Sequence, residues 1–361
     1  MQSQLLACLQ WLGEFQVLAF LPLGSETGLP IKDVAELADV PEAQLCRVVR
    51  LMAMDGFLCE PQPGYMAHTA LSASFVQRPV QLDAAMFLAE TATPTALQMA
   101  QTRRTTTEQP PAVDWTSKRT QRLWASYLGA VGGADDAHIL GQIDWASLGQ
   151  DHDDMGGGGG GDSEGGAPRG RVVVVVDVGS PPAPPRKALL TLCERHPALR
   201  FAIQTEALPA ALPHSARHPN IHLVHRPPGT PQTIRDAAVF LVRVSTSSSV
   251  PVRQRIESEL RAHMDVLDAN RSALLILTAP VLPEPGTVPK HAEHRARLRD
   301  LSLLQLVGDG NLTLHELITL VHSVRDATSG LAVVKKLYAP NSAFVGLGIR
   351  LRAREHLQLD M

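Results

Sequence analysis

The sequence contains few cysteines, and they are scattered. Only four occur among 361 residues, with no pair at CxxC spacing: Cys8, Cys46, Cys59 and Cys193. Structural zinc sites usually take their thiolates from closely spaced pairs, and disulfide-rich secreted domains are short and dense in cysteine. We therefore expect neither a disulfide framework nor a zinc site, and we interpret these residues as reduced thiols of an intracellular protein.

The chain also lacks a strong charge excess and a long apolar run. Its formal net charge is -3, which argues against a protein that binds nucleic acid through its own field. The apolar N-terminal stretch contains Glu14 and no basic region, and no later run approaches the roughly 18 apolar residues of a membrane span. We expect no signal peptide, no transmembrane helix and no membrane partner, and no basic run is typical of a nuclear localisation signal.

The first part of the chain has the pattern of a winged helix. Apolar residues at helical spacing predict a first helix over 3–20, and two further helical patterns meet at a turn beside Pro41. Alternating residues over 57–60 and 65–69 then flank PQPG, which indicates a hairpin. The order helix, turn, helix, hairpin predicts a winged helix at about residues 25–70.

The second helix of this unit is poorly suited to DNA. It contributes Arg47 and Arg50, but Glu42 and Asp55 oppose them, so the attraction to phosphate is small. We expect a structural or dimerising role, with DNA reached only indirectly; direct DNA binding remains an alternative.

A glycine-rich stretch separates two differently patterned regions. Residues 71–150 are mainly helical in pattern, and 151–170 read DHDDMGGGGGGDSEGGAPRG. Six consecutive glycines cost too much backbone entropy to form a packed element, so we predict a disordered linker or surface loop. Acidic loop flanks are far commoner than metal sites, so we expect no metal at the Asp-His-Asp-Asp cluster of 151–154.

After this stretch, short apolar runs alternate with helical segments, which predicts a parallel sheet covered on both faces. The final runs, LAVVKKLYAP and FVGLGIRLR, predict an antiparallel strand pair at the edge of that sheet. The predicted fold class is α/β. We expect a winged-helix and helical domain over 1–150, a linker over 151–170 and a doubly wound, Rossmann-like domain over 171–361.

Four stretches carry a resemblance to a known family. They are VVVVVDVGS at 172–180, ERHPALRFAIQTEALP at 194–209, VLPEPGTVP at 281–289 and RLRDLSLLQLVGDGNLTLHELITLV at 297–321. With the winged helix before them, they resemble the fungal and plant small-molecule O-methyltransferases that use S-adenosylmethionine, over nearly the whole chain. The resemblance implies a cofactor loop after the first strand, an acid after the second strand and a histidine base.

The positions that match these three elements are degenerate. Where glycines are expected the loop has four prolines in 181–185, which remove four backbone donors. The acid position holds Thr205, and the neighbouring Glu206 points to the other side of an extended chain. The base position falls near Thr246, and a hydroxyl cannot act as a general base near neutral pH. We expect neither catalysis nor cofactor binding at the corresponding positions: Asp177, Gly179, Ser180, Thr205, Glu206 and Thr246.

No other chemistry replaces the missing elements in the sequence. The remaining candidate bases are histidines with no motif around them: His222, His225, His263, His291 and His294. HAEH at 291–294 lacks the spacing of a zinc-binding helix, and its surroundings are typical of a solvated helical face. We expect no catalytic residue and no metal.

Three stretches narrow the resemblance: QLLACLQWLGEFQVLAFLPL at 4–23, PIKDVAELADVPEAQLCRVVRLMAMDGFL at 30–58 and PVQLDAAMFLAETATPTAL at 79–97. They resemble the O-methyltransferase-like coactivators of fungal polyketide gene clusters, of the aflatoxin and monodictyphenone type. That group implies a non-catalytic coactivator in the nucleus, which acts with a zinc-cluster transcription factor to induce an anthraquinone or xanthone-type cluster. A homodimer through the N-terminal region is expected. The alternative is an O-methyltransferase that uses S-adenosylmethionine and acts on a phenolic polyketide.

Overall fold

The computed structural model describes residues 2–24, 27–102, 113–132, 136–145, 147, 173–179, 187–206, 218–244 and 250–353. The chain divides into two compact units. The first contains Met1–Gly133 together with Leu301–Asp309, and the second contains Ala134–Asp300 together with Gly310–Met361. The predicted linker over 151–170 and the proline-rich loop over 181–185 lie outside the described residues.

The first unit begins with the elements of a winged helix. They are α1 (Gln2–Glu14), a 3-10 helix (Val17–Phe20), β1 (Leu29–Pro30), α2 (Ile31–Leu37), α3 (Glu42–Met54), β2 (Leu58–Cys59) and β3 (Tyr65–His68). The three short strands form an antiparallel sheet in the order β1-β3-β2. The helices pack on it through a continuous apolar core that includes Leu12, Val34, Leu45 and Val49. Burial of each such side chain contributes about 1.5–3 kcal/mol.

Further helices complete this unit. They are α4 (Ala70–Gln77), α5 (Pro79–Phe87), a π-helix (Leu88–Ala92), α6 (Thr93–Leu97), α7 (Met99–Thr102) and α8 (Lys118–Gly132). Thr69 caps α4 because its hydroxyl accepts from the Ser72 N–H. The helices pack around buried aromatic rings, in which the Phe87 ring lies 5.1 Å from that of Trp124. This arrangement forms a second small core beside the winged helix.

The second unit is a sheet of seven strands with helices on both faces. Its elements are α9 (Asp136–Gly141), β4 (Val173–Val178), α10 (Lys187–Arg195), β5 (Leu199–Thr205), β6 (Ile221–His225), β7 (Val239–Arg243), α11 (Val252–Ala262), α12 (Met264–Ala269), β8 (Leu274–Pro280), α13 (Lys290–Val307), α14 (Leu314–Ser323), β9 (Ser329–Tyr338) and β10 (Phe344–Ala353). The strand order is β6-β5-β4-β7-β8-β10-β9.

The sheet confirms the predicted doubly wound α/β fold. The five strands from β6 to β8 pair in parallel, and β10 pairs antiparallel to both β8 and β9. The valine-rich strand β4 lies in the middle and is buried on both faces, because α9 and α10 cover one face while α11, α12 and α14 cover the other. None of the described helices combines the length and hydropathy that would let it span a bilayer.

The observed division differs from the predicted boundary at residue 150. α9 and the following Ile143 and Trp145 pack into the core of the sheet, and the Trp145 indole N–H donates to the Leu140 carbonyl at 2.9 Å. The second unit therefore begins before residue 150. The C-terminal turns of α13 join the first unit, in which Leu303 and Leu306 pack among the helices.

Candidate functional site

Four neighbouring strands end in polar side chains on one face of the sheet. Because successive side chains of a strand point to opposite faces of the sheet, Asp177 of β4 lies on the same face as Val175, and Arg243 of β7 lies on the same face as Leu241. The corresponding polar residues of the flanking strands are Thr205 of β5 and Thr278 of β8. The carboxyl ends of parallel strands are where open α/β sheets bind ligands. All four of these polar side chains are buried.

A salt bridge joins the two central strands at this edge. The Arg243 Nε atom donates to the Asp177 carboxylate at 2.6 Å, and Asp177 is 0% exposed. Burial lowers the pKa of Arg243 to about 10, which is still well above neutral, so the guanidinium keeps its charge. Removing one partner of such a buried pair leaves the other charge uncompensated and typically costs about 3–5 kcal/mol. The pair therefore fixes the ends of β4 and β7 relative to each other.

Gly179, which follows β4, is required by a close contact with β7. Its φ is +81°, a conformation that L side chains rarely adopt. A Cβ at this position would lie 2.5 Å from the Arg243 carbonyl oxygen. The resemblance implies a cofactor loop at this glycine, although we expect no cofactor there, and the structure shows that Gly179 allows the close approach of the neighbouring strand. Ser180, the next predicted position, lies outside the described residues.

The two candidate acid positions have different environments. Thr205 is the last residue of β5 and is buried, whereas Glu206 follows the strand and is exposed. The position that the resemblance assigns to a ribose-binding acid thus holds a buried hydroxyl, and the nearest carboxylate in sequence faces solvent. Thr246, at the predicted base position, lies outside the described residues.

On the opposite face, the end of β5 enters a buried polar network that sequence reasoning missed. The side-chain amides of Gln204 and Gln232 exchange two hydrogen bonds, of 2.8 and 2.9 Å. Gln232 also lies 3.3 Å from the Nε2 atom of His263, whose Nδ1 atom is 2.7 Å from the Glu259 carbonyl oxygen. The Nδ1 atom must donate to that carbonyl, so Nε2 accepts from the Gln232 amide and the imidazole is neutral.

The same network ties the segment after β6 to α11. Arg226 Nη1 donates to the Glu259 carboxylate at 2.5 Å, and the Gly229 N–H donates to its other oxygen at 2.6 Å. Burial is the largest cause that lowers the pKa of His263 below its ordinary value of 6.5. His263, one of the candidate histidines in the sequence, is therefore a fully hydrogen-bonded interior residue.

The other candidate histidines lie on the surface. His222 and His225 are exposed on the edge strand β6, and His291 and His294 are exposed on α13. Among the residues that the structure describes, no group of three or more histidine, cysteine, aspartate or glutamate side chains is placed to hold a metal ion. The acidic cluster of 151–154 is not among those residues.

Comparison with known proteins shows close relatives along the whole chain. A transcriptional coactivator of Pseudocercospora fijiensis is 41% identical over 377 residues, covering 97% of each chain. The trypacidin cluster transcriptional coactivator tpcD of Aspergillus fumigatus is 40% identical, covering 98% of this chain and 80% of its own length. The monodictyphenone cluster transcriptional coactivator mdpA of Emericella nidulans is 38% identical, covering 98% and 83%.

Solved structures confirm the fold. The mitomycin 7-O-methyltransferase MmcR superposes with a TM-score of 0.67 at 16% identity, covering 97% of this chain and 95% of that one. The enzyme LepI, in complex with SAH and a substrate analogue, gives 0.68 at 14% identity, covering 98% and 87%. No family model matches the sequence. The full-length identity of about 40% confirms the resemblance, and the chain belongs to the fungal transcriptional coactivators of secondary-metabolite gene clusters, which it builds on an O-methyltransferase fold.

Proposed function

We propose that this protein is a non-catalytic transcriptional coactivator that induces a fungal polyketide gene cluster. The observation that carries the proposal is the identity of 38–40%, over 98% of the chain, to the coactivators of the trypacidin and monodictyphenone clusters. The strand ends support it, because Asp177 is engaged with Arg243 and the acid position holds a buried threonine. Among the residues that the structure describes, the acid position is the hydroxyl of Thr205 and the next residue, Glu206, is exposed, so these residues do not fit S-adenosylmethionine in the way that the resemblance implies.

A coactivator needs a transcription factor, and we propose a zinc-cluster factor and a nuclear site of action. The proposal follows the group that the sequence resembles and agrees with the near-neutral charge of the chain, which gives little attraction to DNA by itself. The purified protein is expected to shift promoter DNA only when the factor is present. A salt-dependent shift by the protein alone would favour direct DNA binding instead.

Deletion and complementation in the native host test the function. Deleting the gene is expected to lower the transcript of the polyketide synthase of its cluster, and the wild-type gene restores it. Glu206→Ala removes the exposed carboxylate beside the strand end and is expected to restore the transcript equally well. Glu206→Gln, which keeps the size of the side chain, is the matched control.

Two outcomes would contradict this proposal. An unchanged transcript after deletion would exclude the coactivator role. Failure of Glu206→Ala alone, together with loss of a methylated product, would favour the O-methyltransferase that uses S-adenosylmethionine and acts on a phenolic polyketide. The fold that this chain shares with the mitomycin 7-O-methyltransferase MmcR is the observation that keeps this alternative in view.

We also propose a homodimer formed through the first unit. That unit exposes large apolar side chains on α13 and near Met99. The two groups are neighbours, because the Gln305 amide of α13 contacts the Met99 sulfur and Gln305 lies one helical turn from Leu301. The exposed residues of this surface are Leu97, Met99, Leu301 and Leu304. Contiguous apolar surface of this kind marks association sites. Light scattering is expected to give the mass of a dimer, and Leu304→Glu the mass of a monomer.

A further inference from the structure

The solvent-facing side of α3 combines apolar and basic residues in one row. The core-facing residues of this helix are Leu45, Val49 and Met52. On the other side, exposed side chains recur at the spacing of three and four residues that places them on one helical face. We call these residues the α3 stripe: Arg47, Arg50, Leu51 and Met54.

Both apolar members of the α3 stripe are exposed, Met54 much more than Leu51. Met54 is 87% exposed and Leu51 is 37% exposed, and they lie three residues apart. A single exposed apolar residue needs no explanation, but an adjacent pair framed by charges is typical of a protein-binding surface. Methionine adapts its unbranched side chain to irregular partners, which suits a docking site.

The two arginines place positive charge on one side of this apolar pair, and the exposed Asp55 follows Met54 on the other side. Among the described residues, Arg47 has no carboxylate partner. Arg50 Nε lies 3.5 Å from the Glu60 carboxylate, and the other oxygen of that carboxylate accepts from the Gly64 N–H at 3.0 Å. The Arg50 side chain is still 61% exposed, so its remaining donors can meet a second acidic group.

This chemistry favours a protein over DNA as the occupant. In a helix-turn-helix unit the second helix reads bases with polar side chains, and phosphate contacts supply most of the affinity. Here Leu51 and Met54 occupy the outward face, and one of the two arginines is already shared with Glu60. An acidic amphipathic helix offers what the stripe lacks, namely apolar side chains for its centre and carboxylates for its arginines.

We propose that the α3 stripe docks an acidic amphipathic helix of the transcription factor with which this coactivator works. The proposal rests on the coactivator function and assigns its partner surface. It places the contact on the helix that would meet DNA in a DNA-binding winged helix. The transcription factor would then bind α3, the helix whose residues give little attraction to DNA phosphate.

The test is a calorimetric titration of the full-length protein with the full-length zinc-cluster factor encoded in the same gene cluster. Arg47→Glu combined with Arg50→Glu is expected to weaken binding by about tenfold or more, and Met54→Glu by a similar factor, because a few central residues dominate such interfaces. Raising the salt concentration is expected to weaken wild-type binding and to have less effect on the charge-reversed variant.

Two exposed residues of the same unit provide matched controls. Lys32→Glu on α2 reverses a charge, and Leu71→Glu on α4 places a carboxylate at an exposed apolar position. Both are expected to bind the factor within about twofold of wild type, since peripheral positions contribute little. Circular dichroism and thermal unfolding of every variant show that the fold is retained.

Three results would overturn the proposal. Wild-type affinity in both stripe variants would place the factor on another surface. Promoter DNA bound by the protein alone, and lost with Arg47→Glu, would make DNA the occupant. Dissociation of a dimer by Met54→Glu would make it a second copy of the chain. Gene deletion tests the coactivator function separately. A lowered transcript after deletion, together with one of these three results, would reject only the α3 stripe, whereas an unchanged transcript would reject the coactivator function.

Discussion

At the scale of single residues, the buried His263 is more informative than the exposed histidines, because buried polar and charged groups determine its protonation state. His263 donates through Nδ1 and faces the Gln232 amide through Nε2. The charged groups around it are the Glu259 carboxylate, 3.7 Å from Nδ1, and Arg226, which pairs with that carboxylate. Protonation of Nε2 would point an N–H at the donor of Gln232 and would place a charge in the interior. The network therefore requires a neutral imidazole.

This requirement predicts an acid-sensitive fold. The pKa of His263 lies below its ordinary value of 6.5 in the folded chain, so below about pH 6.5 the unfolded chain binds more protons. The contribution of His263 to the free energy of unfolding is complete above pH 6.5 and is lost as the pH falls toward the folded pKa. Its loss amounts to at most about 1.4 kcal/mol per pH unit. His263→Gln, which does not titrate, is expected to flatten the pH dependence in urea unfolding experiments.

His291→Gln provides the control, because His291 is exposed on α13. This variant is expected to keep the wild-type slope. Equal slopes for His263→Gln and wild type between about pH 5 and pH 7 would show that other groups control acid stability.

The positions at the ends of the apolar strands could be predicted from the sequence, whereas contacts that depend on pairing could not. The loss of cofactor binding at those positions stays a prediction. Asp177 and Thr205 can be placed near strand ends because each comes at the end of an apolar run in the sequence. Arg243 cannot, because its partner is 66 positions earlier in the chain and the contact depends on the register of β4 and β7. The amide pair of Gln204 and Gln232 is likewise visible only after folding.

At the scale of elements, the pattern of apolar residues predicted the buried strands and the final strand pair, but it did not predict the edge strand β6. β4 has five valines, and burial on both sheet faces demands such a run. β6 was not predicted, because it is an edge strand whose residues are only half buried, so its sequence shows no apolar run. The helices α11 and α12 meet at His263, whose imidazole belongs to the buried polar network.

The approach of β4 to β7 predicts a specific intolerance at Gly179. Ala at this position must adopt a φ of +81° and place its Cβ 2.5 Å from the Arg243 carbonyl oxygen. The left-handed conformation alone costs about 1–2 kcal/mol, and a steric overlap in a packed region adds about 1–3 kcal/mol. Gly179→Ala is therefore expected to lower the urea midpoint clearly.

Gly286 separates these two costs, because it lies in the same unit with a φ of +76° and nothing within 4 Å of an added Cβ. Gly286→Ala is expected to show only the conformational cost. If both variants lost the same stability in urea unfolding, the contact between Gly179 and β7 would have no energetic consequence.

At the scale of the whole molecule, the sequence predicted two parts but not their boundaries. The first unit takes residues 301–309 from near the C-terminus, because Leu303 and Leu306 pack with Phe87 and Trp124. Contacts between segments so distant in the chain leave no local pattern. The start of the second unit before the glycine-rich stretch has the same cause. α9 packs on a sheet whose first strand, β4, begins only at Val173.

Thermal unfolding shows whether the whole molecule binds S-adenosylmethionine. A ligand that binds only the folded protein stabilises it by about 2.7 kcal/mol when its concentration is a hundred times its dissociation constant. An O-methyltransferase is therefore expected to unfold several degrees higher in excess S-adenosylmethionine. For this protein we expect no such increase, because Asp177 is held by Arg243, the acid position is Thr205 and the nearest carboxylate, Glu206, is exposed. LepI, which shares the fold and has been solved in complex with SAM, is the positive control for thermal unfolding with and without S-adenosylmethionine. A rise in this protein that Glu206→Ala abolishes would show that the strand ends still bind the cofactor and would contradict the expected loss of cofactor binding.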